Sequence, residues 1–393
     1  MPTHPIRILL ILETYLPDVG GAEFHLHYLA KQFLARGHAV EIVTGNTDLG
    51  LDHRDLCPVH RYPHAVGRRA VPYTLVWLLR FVRLFRRFDI IHAHHSSFLA
   101  TLAVIAGRLT GRPVVVSLHG LGTLDTSVGR CPIRRLYRWL SLRGASRIIA
   151  TSEELQAVAR RFVPEKRIAL ITNGVDTGQF VPPPSRSFEQ IATRLRLVTL
   201  RRLTPKNGVQ FVIQALAVAG QRLSFQLRVV GDGPLRGGLE RAVATQGLGD
   251  RVRFDGFLSP GQVIPILGEC DVALFLSTAE STSLAALECM ATGCLVVCSN
   301  AGAFPRFVEH GVSGFIIDLF DQGTSRYDAP EYLAPAQVAR IVDTLVAIQH
   351  TPPADLAAIA GCARQRVRER FDWAAITEYT LTEVYQPLRE GIS

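Results

Sequence analysis

With 393 residues, of which 48% are hydrophobic, and a formal net charge of +9, the chain can bury sizeable cores and is too apolar to remain disordered. Its longest apolar runs span about nine residues, far short of the ~20 that a helix needs to cross a bilayer. Residues 1–16 hold one Arg and a short apolar run, which predicts a first strand and not a secretory signal. We therefore expect a cytoplasmic enzyme of two domains.

The seven cysteines include no Cys-x-x-Cys pair, and the spacing of Cys289, Cys294 and Cys298 suits neither zinc nor iron–sulfur ligation. Such residues are typical of small buried apolar side chains in a reducing compartment. The chain also lacks an Asp-x-Asp sequence, which argues against a metal ion that holds a diphosphate. The sequence therefore predicts no metal ligands.

Apolar strands alternate with helical patterns in two successive sets. The first set of predicted strands covers residues 6–12, 39–43, 89–93, 114–117, 147–151 and 168–171. The second set covers residues 195–200, 225–230, 252–254, 272–276, 295–298 and 315–317. This alternation predicts the α/β fold class, with two doubly wound, Rossmann-like domains.

A run of three prolines at 182–184 cannot lie in a helix or a central strand and marks the predicted domain boundary. We predict an N-terminal domain of residues 1–182, a Pro-rich linker of residues 183–192 and a C-terminal domain of residues 193–370. Residues 371–393 predict a C-terminal helix that packs back on the N-terminal domain. Two such domains, facing each other, would leave a cleft lined by strand ends from both.

The positive charge belongs to the N-terminal half, where residues 1–182 contain 23 Lys and Arg against 13 Asp and Glu. It concentrates in residues 68–87 and 130–147, in which arginines alternate with Trp, Phe and Leu. This pattern is typical of a helix that lies on an anionic membrane surface, and equally of an ordinary amphipathic helix with its arginines outward. No nucleic-acid-binding motif accompanies the charge. We expect the protein to be either free in the cytoplasm or peripheral at the inner face of the membrane.

Two glutamates with seven residues between them, Glu280 and Glu288, bracket the start of an apolar helix after the strand predicted at 272–276. The turn lies at the carboxyl end of that strand, where free backbone N–H groups at 281–284 and the helix dipole suit a diphosphate. Glu280 can accept hydrogen bonds from sugar hydroxyls, and Glu288 can reach a ribose. The alternative is that Glu280 caps the helix and Glu288 is a solvated surface residue. The apolar neighbours of Glu288 favour the nucleotide-sugar site.

Eight short motifs occur in an order and spacing typical of one enzyme family. They are PDVGGAE at 17–23, RGHAV at 36–40, DIIHAH at 89–94, SLH at 117–119, NGVD at 173–176, RL at 202–203 with Gly208, GDGP at 231–234, and the paired-glutamate segment. In these motifs the chain resembles glycosyltransferase family 4 (glycosyl transferases group 1), a large retaining family with the GT-B fold. The resemblance runs through nearly the whole length. It implies an acceptor on the N-terminal domain and a donor on the C-terminal domain, across a central cleft.

The resemblance also implies roles for matching residues. The implied catalytic residues are His119, Glu280, Arg202 and Lys206. The implied donor-binding residues are Gly20, Gly21, Phe257, Leu258, Ser281, Thr282, Ser283, Leu284 and Glu288. On the acceptor side the implied residues are Glu23, His92 and His94. Arg202 would pair with the diphosphate, a role that suits a fixed charged fork.

Three departures from the family pattern lie near the predicted donor site. Where the family usually has Lys before Gly208, the chain has Asn207, so that the lysine is displaced to Lys206. The common Gly-Phe-Gly after the first glutamate is Ser-Thr-Ser at 281–283. An acid of the family pattern is replaced by Arg306. The displaced Lys206 would still reach the phosphates, and the other two changes would alter which sugar or acceptor is accepted.

The reaction implied by the resemblance moves a sugar from a nucleoside diphosphate sugar, UDP or GDP linked, to a hydroxyl of a saccharide or lipid-linked acceptor in envelope or polysaccharide biosynthesis. It proceeds with retention and without a cofactor or an obligatory metal. Two alternatives stay open at this stage: a hydrolysing sugar-nucleotide epimerase of the same fold, and a non-catalytic nucleotide-sugar-binding partner in a membrane assembly. Nucleic acid is not an expected partner.

Overall fold

The computed structural model describes residues 5–16, 21–45, 55–61, 70–119, 132–280, 282–321 and 329–391. The chain forms two compact units, one made of Met1–Asn173 with Trp373–Ser393 and the other of Gly174–Asp372. Each unit is built on a single all-parallel sheet. The α/β class and two Rossmann-like units agree with the alternation in the sequence.

Unit 1 carries seven strands in the order β3-β2-β1-β4-β5-β6-β7. They are β1 (Arg7–Leu12), β2 (Ala39–Thr44), β3 (Val59–Arg61), β4 (Ile90–His94), β5 (Val114–Leu118), β6 (Arg147–Ala150) and β7 (Ile168–Leu170). The helices are α1 (Gly21–Ala35), α2 (Ala70–Phe85), α3 (Phe98–Thr110), α4 (Pro132–Gly144) and α5 (Glu153–Ala159). The order reverses between β1 and β4, so ligands of such a sheet would bind at the carboxyl ends of these two strands.

The central strands of unit 1 are buried on both faces, as the apolar runs of a parallel sheet require. On one face α2 packs on α3, and α3 packs on α4. The rings of Phe81 and Phe85 stack 5.3 Å apart there, within a core that also contains Trp77. Burying each such ring contributes roughly 1.5–3 kcal/mol. The sequence missed β3, because three half-exposed residues at a sheet edge give no apolar pattern.

Unit 2 carries six strands in the order β10-β9-β8-β11-β12-β13. They are β8 (Leu195–Leu200), β9 (Phe225–Val230), β10 (Val252–Gly256), β11 (Val272–Phe275), β12 (Leu295–Ser299) and β13 (Phe315–Ile317). The helices are α6 (Val209–Ala219), α7 (Arg236–Thr245), α8 (Pro260–Glu269), α9 (Leu284–Ala291), α10 (Phe304–Phe307), α11 (Pro335–His350) and α12 (Pro353–Arg370). The order reverses between β8 and β11, which makes their carboxyl ends the expected ligand position.

The predicted linker at 183–192 is a packed part of unit 2, and the chain passes between the units at 173/174 and 372/373. Phe188 and Ile191 are buried in the core of unit 2. The guanidinium of Arg186 donates hydrogen bonds to the carbonyls of Cys270 at 2.5 Å and Leu267 at 2.7 Å. The prolines exclude helix and central strand, but they do not prevent this segment from packing.

The C-terminal residues divide between the units. Phe371 and Asp372 belong to unit 2, and the chain then continues in unit 1 as α13 (Trp373–Tyr379), a π-helical turn (Thr380–Tyr385) and α14 (Gln386–Glu390). Trp373 and Tyr385 are fully buried in the core beside α1. Across the described ranges, no helix has the length and apolar character needed to cross a membrane.

Candidate functional site

The loops at the carboxyl ends of β8, β9 and β11 pack closely in unit 2. Thr278 donates its backbone N–H to the carbonyl of Lys206 at 2.9 Å, which joins the β8 and β11 loops. Gly208 has a φ of +70°, and a side chain there would collide with the carbonyl of Leu276. Gly231 lies in the same way against the carbonyl of Arg201. Glycine is required at both positions because the backbones approach without room for a Cβ atom.

Arg201 is the first residue after β8, and its guanidinium lies inside this group of loops. Its Nη2 donates to Glu280 Oε2 at 2.5 Å and also to the hydroxyl of Ser277, and its Nη1 donates to the hydroxyl of Ser283 at 3.1 Å. The side chain is only 8% exposed and lies over the ring of Phe275. Sequence reasoning missed Arg201, because its neighbour Arg202 occupies the family position and the partner Glu280 is 79 residues away.

Glu280 is held through both its backbone and its side chain. Its carbonyl accepts a hydrogen bond from the backbone of Ala303 at 2.8 Å, and a side chain at Gly302 would collide with its backbone. Its carboxylate is 12% exposed and bound to Arg201. The predicted acid therefore lies at the reversal point of the sheet, with one oxygen engaged by a cation and a backbone that cannot shift freely.

The helix α9 begins directly beside this ion pair. Ser283 is its N-cap, with a hydroxyl that accepts from the backbone N–H of Ala286 at 3.3 Å. Thr282 and Leu284, which flank the cap, are half-buried. The predicted residue Ser281 lies outside the described residues. The helix end thus offers backbone donors next to Glu280, which is the arrangement that favours anions.

Glu288 lies in the second turn of α9, with buried Leu287 and Cys289 on either side. Burial raises the pKa of Glu288 to about 7. No hydrogen bond or ion pair of its carboxylate occurs within the described part of the chain. The residue is half-buried and its carboxyl is desolvated, and a hydroxyl donor would offset that desolvation.

Arg202 and Lys206 differ in their surroundings. Arg202 is exposed, and its carbonyl accepts from the side-chain amide of Asn207 at 2.6 Å. Lys206 is half-buried. Asn207, at the position where the family has lysine, thus supports the loop through its amide. Phe257 is 70% exposed and Leu258 half-buried, just after β10, which is two strands away from β8.

The carboxyl ends of β4 and β5 in unit 1 hold a cluster of buried histidines, which we call the histidine cluster: His25, His92, His94 and His119. His94 Nδ1 and His119 Nε2 are 2.9 Å apart, and His25 Nδ1 is 2.7 Å from Asn173 Oδ1. Burial lowers the pKa of His25 to about 4 and that of His92 to about 3, and holds those of His94 and His119 well below the usual value. The four rings are therefore neutral at pH 7.

His92 has no accessible surface and both of its nitrogens are engaged. Its Nδ1 lies 2.6 Å from the hydroxyl of Tyr385, and its Nε2 lies 2.7 Å from the hydroxyl of Ser117. His92 thus lies in the core and joins two buried hydroxyls, a position that the strand pattern cannot reveal because Tyr385 is 293 residues away; its acceptor-side role stays a prediction. His94 and His119 are 1% and 7% exposed and lie nearer the strand ends.

Three members of the cluster, His25, His94 and His119, each offer one ring nitrogen, and these atoms lie within 4.8 Å of one another. Neutral imidazoles are the form that binds zinc. The hydrogen bond between His94 Nδ1 and His119 Nε2 engages one nitrogen of each of these two rings. The prediction of a site without metal ligands is therefore open to a direct test.

Acidic residues also approach this end of unit 1. Glu13 follows β1, and burial raises the pKa of its carboxyl, which accepts hydrogen bonds from Ser97 and from the backbone of Leu99 at the start of α3. Glu23, in the first turn of α1, accepts from the hydroxyl of Thr14 at 2.5 Å. Gly21 is the first residue of α1, and Gly20 lies outside the described residues. Sequence reasoning missed Glu13, although an acid directly after a buried strand is a usable signal.

Comparison with known proteins agrees with this architecture. The family model Glycosyltransferase Family 4 matches residues 19–179, and Glycosyl transferases group 1 matches residues 185–323. N-acetyl-alpha-D-glucosaminyl L-malate synthase of Bacillus anthracis is 27% identical over 329 residues, which cover 78% of this chain and 83% of that protein. GDP-mannose:cellobiosyl-diphosphopolyprenol alpha-mannosyltransferase of Xanthomonas oryzae is 25% identical over 336 residues, which cover 80% and 83%.

A solved structure shares the fold. The crystal structure of Anabaena HepE in complex with UDP and glucose has a TM-score of 0.71 and 23% identity, and the match covers 96% of this chain and 98% of that one. The two parallel sheets with their flanking helices form the two-domain α/β GT-B fold, and the two family models make the chain a glycosyltransferase of that fold. Within that class the chain belongs to glycosyltransferase family 4, and the resemblance seen in its motifs is confirmed.

Proposed function

We propose that the protein transfers a sugar from a nucleoside diphosphate sugar, with UDP or GDP as the nucleotide, to a hydroxyl of a saccharide or lipid-linked acceptor. The observation that carries the proposal is the position of Glu280 beside the N-terminus of α9, at the reversal point of the sheet in unit 2. One short loop at this point brings together a carboxylate that can accept hydrogen bonds from sugar hydroxyls and helix N–H groups that can donate to phosphate. The comparisons give no support to an epimerase or to a non-catalytic partner.

The donor would lie along these loops in a defined order. Its diphosphate would accept hydrogen bonds from the free backbone donors at the start of α9 and pair with the exposed Arg202, with Lys206 beside it. Its sugar hydroxyls would donate to Glu280, and its ribose to Glu288, whose unrelieved desolvation such hydroxyls would offset. The base would meet the backbone around Phe257 and Leu258, at the end of β10.

Transfer would proceed with retention, as the family resemblance implies. The departing diphosphate would take the proton of the acceptor hydroxyl on the face from which it leaves, and the helix donors and Arg202 would stabilise its charge. His119 would approach the transferred sugar, and Gly21 would lie in a loop that meets both the donor diphosphate and the acceptor. Glu23 and His94 would contribute to the acceptor side. Neutral imidazoles can donate and accept hydrogen bonds with sugar hydroxyls without charge. We assign the reaction no cofactor and no obligatory metal.

A lipid-linked acceptor is favoured by the outer surface of α2, α3 and α4. Trp77 and Phe81 of α2 pack inward, so this helix covers its own sheet, but large apolar side chains still face outward beside arginines. The exposed apolar residues are Val76, Leu79, Ile105, Leu109, Ile133, Leu136 and Trp139. Leu79 and Leu109 are 63% and 64% exposed. Such a surface suits an anionic membrane, and we expect the protein at the inner face of the membrane.

The donor is identified by a thermal-shift screen of the purified protein against UDP, GDP, ADP and their common sugar conjugates, with and without EDTA. A ligand that binds only the folded state raises the unfolding midpoint. We expect one nucleotide and its conjugate to stabilise the wild type, and Glu288→Ala to remove most of the shift. The absence of a shift with every compound would contradict the proposed function.

Sedimentation with vesicles tests whether this surface of the protein binds a membrane. The vesicles contain about 30% anionic phospholipid, to resemble an anionic leaflet. We expect reversal of Arg83, Arg86 and Arg87 to Glu to reduce binding about tenfold or more, since each basic residue near such a surface contributes about 1 kcal/mol. The matched control reverses three exposed arginines of unit 2, Arg241, Arg368 and Arg370. Equal binding by both triple variants would reject the surface.

A further inference from the structure

The guanidinium of Arg201 joins two parts of the candidate donor site. Through one nitrogen it holds the carboxylate of Glu280 at 2.5 Å, and through another it reaches the hydroxyl of Ser283, the N-cap of α9, at 3.1 Å. The predicted sugar-binding carboxylate and the predicted phosphate-binding helix end are thus bridged by a single planar group. A planar guanidinium can span two such partners, whereas an ammonium acts as a point charge.

The burial of Arg201 is costly unless its donors are satisfied. The side chain is 8% exposed, and its Nε is buried without a hydrogen-bond partner among the described residues. If the position only had to be filled by a packed side chain, a smaller or apolar residue would do so without the cost of burying a guanidinium. An incompletely satisfied arginine at the reversal point of the sheet therefore indicates a role in ligand binding rather than in packing.

We propose that Arg201 is a positioning residue that sets the orientation of the Glu280 carboxylate toward the sugar of the donor. The backbone of Glu280 is fixed independently, by the hydrogen bond from Ala303 at 2.8 Å and by the close approach of Gly302. Loss of Arg201 would therefore release the Glu280 side chain and leave its loop in place. This inference rests on the proposed function, because it assigns the sugar, and not the nucleotide, to Glu280.

Arg202 supplies a matched comparison. It is the next residue in the chain, it carries the same charge, and it is exposed, whereas the side chain of Arg201 is 8% exposed. The two residues should differ in what they recognise. Arg202 would act on the diphosphate, which is present in the bare nucleotide and in the sugar conjugate alike, whereas Arg201 would matter only when a sugar is attached.

The experiment measures calorimetric affinity of the full chain for the nucleoside diphosphate found in the donor screen and for its sugar conjugate. For Arg201→Gln we expect affinity for the bare nucleotide within about twofold of wild type, and affinity for the conjugate reduced about tenfold to a hundredfold, the effect of losing one or two directed hydrogen bonds to a charged group. Arg201→Lys should recover only part of the loss. Arg202→Gln should weaken both ligands to a similar extent.

A second arm repeats the measurement with Glu280→Gln, alone and combined with Arg201→Gln. If Arg201 acts through Glu280, the double variant should bind the conjugate no more weakly than Glu280→Gln does. Thermal unfolding and circular dichroism report whether each variant folds, and Arg201→Lys, which keeps the charge, serves if the glutamine variant does not.

Three results would overturn the inference. Equal losses for nucleotide and conjugate would make Arg201 a phosphate contact, and unchanged affinity for both would leave it a packing residue. Additive losses in the double variant would show that Arg201 does not act through Glu280. A wild type that binds neither ligand would instead overturn the proposed function, and this role with it.

Discussion

The side chains at the reversal points of the two sheets differ in charge. In unit 1 the strand ends carry neutral imidazoles that hydrogen-bond to one another and to Tyr385, Ser117 and Asn173. In unit 2 they carry a buried ion pair between Arg201 and Glu280 at the end of a helix. A neutral cluster costs little to desolvate and suits an uncharged hydroxyl, whereas fixed charges and helix dipoles suit a diphosphate sugar. The same strand order thus presents neutral side chains at its carboxyl ends in one unit and charged side chains in the other.

The largest effect expected from this comparison is on the charged side. Glu280→Gln should lower kcat/KM by about a hundredfold to a thousandfold, since it removes a directed charged acceptor for the sugar and leaves Arg201 unpaired. Initial rates with the identified donor measure this loss. Glu309→Gln, at an exposed ion pair with Arg366 in the same unit, provides the control and should keep wild-type rates. Near-normal turnover by Glu280→Gln would remove unit 2 as the site of sugar recognition.

On the neutral side the principal effect should be on stability. His92→Ala deletes the partner of two buried hydroxyls and leaves a cavity, which should lower the free energy of unfolding by about 2–4 kcal/mol. His119→Ala, nearer the strand ends, should cost less stability and more activity. Denaturation midpoints and rates of both variants separate these outcomes. A His92→Ala protein that is stable but inactive would return His92 to the acceptor site.

A third prediction concerns the pH dependence caused by Glu288. Its folded pKa of about 7 lies above its ordinary value of 4.5, so the folded state holds its proton more tightly than the unfolded chain does. Stability should therefore fall as pH rises from about 4.5 to about 7, by on the order of 3 kcal/mol, and level off above that range. Glu288→Gln should flatten this part of the profile. An unchanged slope in the variant would place the titration elsewhere.

The smallest expected effect is that of chelation. If the histidine cluster holds no ion, EDTA should leave both the unfolding midpoint and the transfer rate unchanged, and mass spectrometry of metals should find less than about 0.1 equivalent per chain. Stoichiometric zinc that disappears in His94→Ala would reverse this expectation. The strand ends of unit 1 would then hold a metal ion, and they would no longer be a neutral site.

Much of the fold could be predicted because its signals are local. Parallel strands buried on both faces appear as continuous apolar runs, and the predicted strands overlap twelve of the thirteen found among the described residues. The edge strand Val59–Arg61 has no such run. The prolines at 182–184 do not reveal that the segment after them packs on unit 2, because the partners of Phe188 and Ile191 lie far along the chain.

The site was harder to predict for the same physical reason. The position of Glu280 followed from the strand and helix around it. The sequence does not indicate which of Arg201 and Arg202 turns inward, because that depends on contacts with Ser277, Glu280 and Ser283 on another loop. The burial of His92 likewise depends on Tyr385, which the chain brings back only at its end. Long-range partners decide such roles, and one sequence does not display them.

The return of residues 373–391 to unit 1 has a consequence for biosynthesis. Unit 2 is continuous in the chain and can fold before residues 373–391 have left the ribosome, whereas the core of unit 1 lacks Trp373 and Tyr385 until they have done so. The first unit to be synthesised is thus the last to be finished. During that interval the hydroxyl that Tyr385 presents to His92 is absent, and the nascent protein offers chaperones an open apolar surface beside α1.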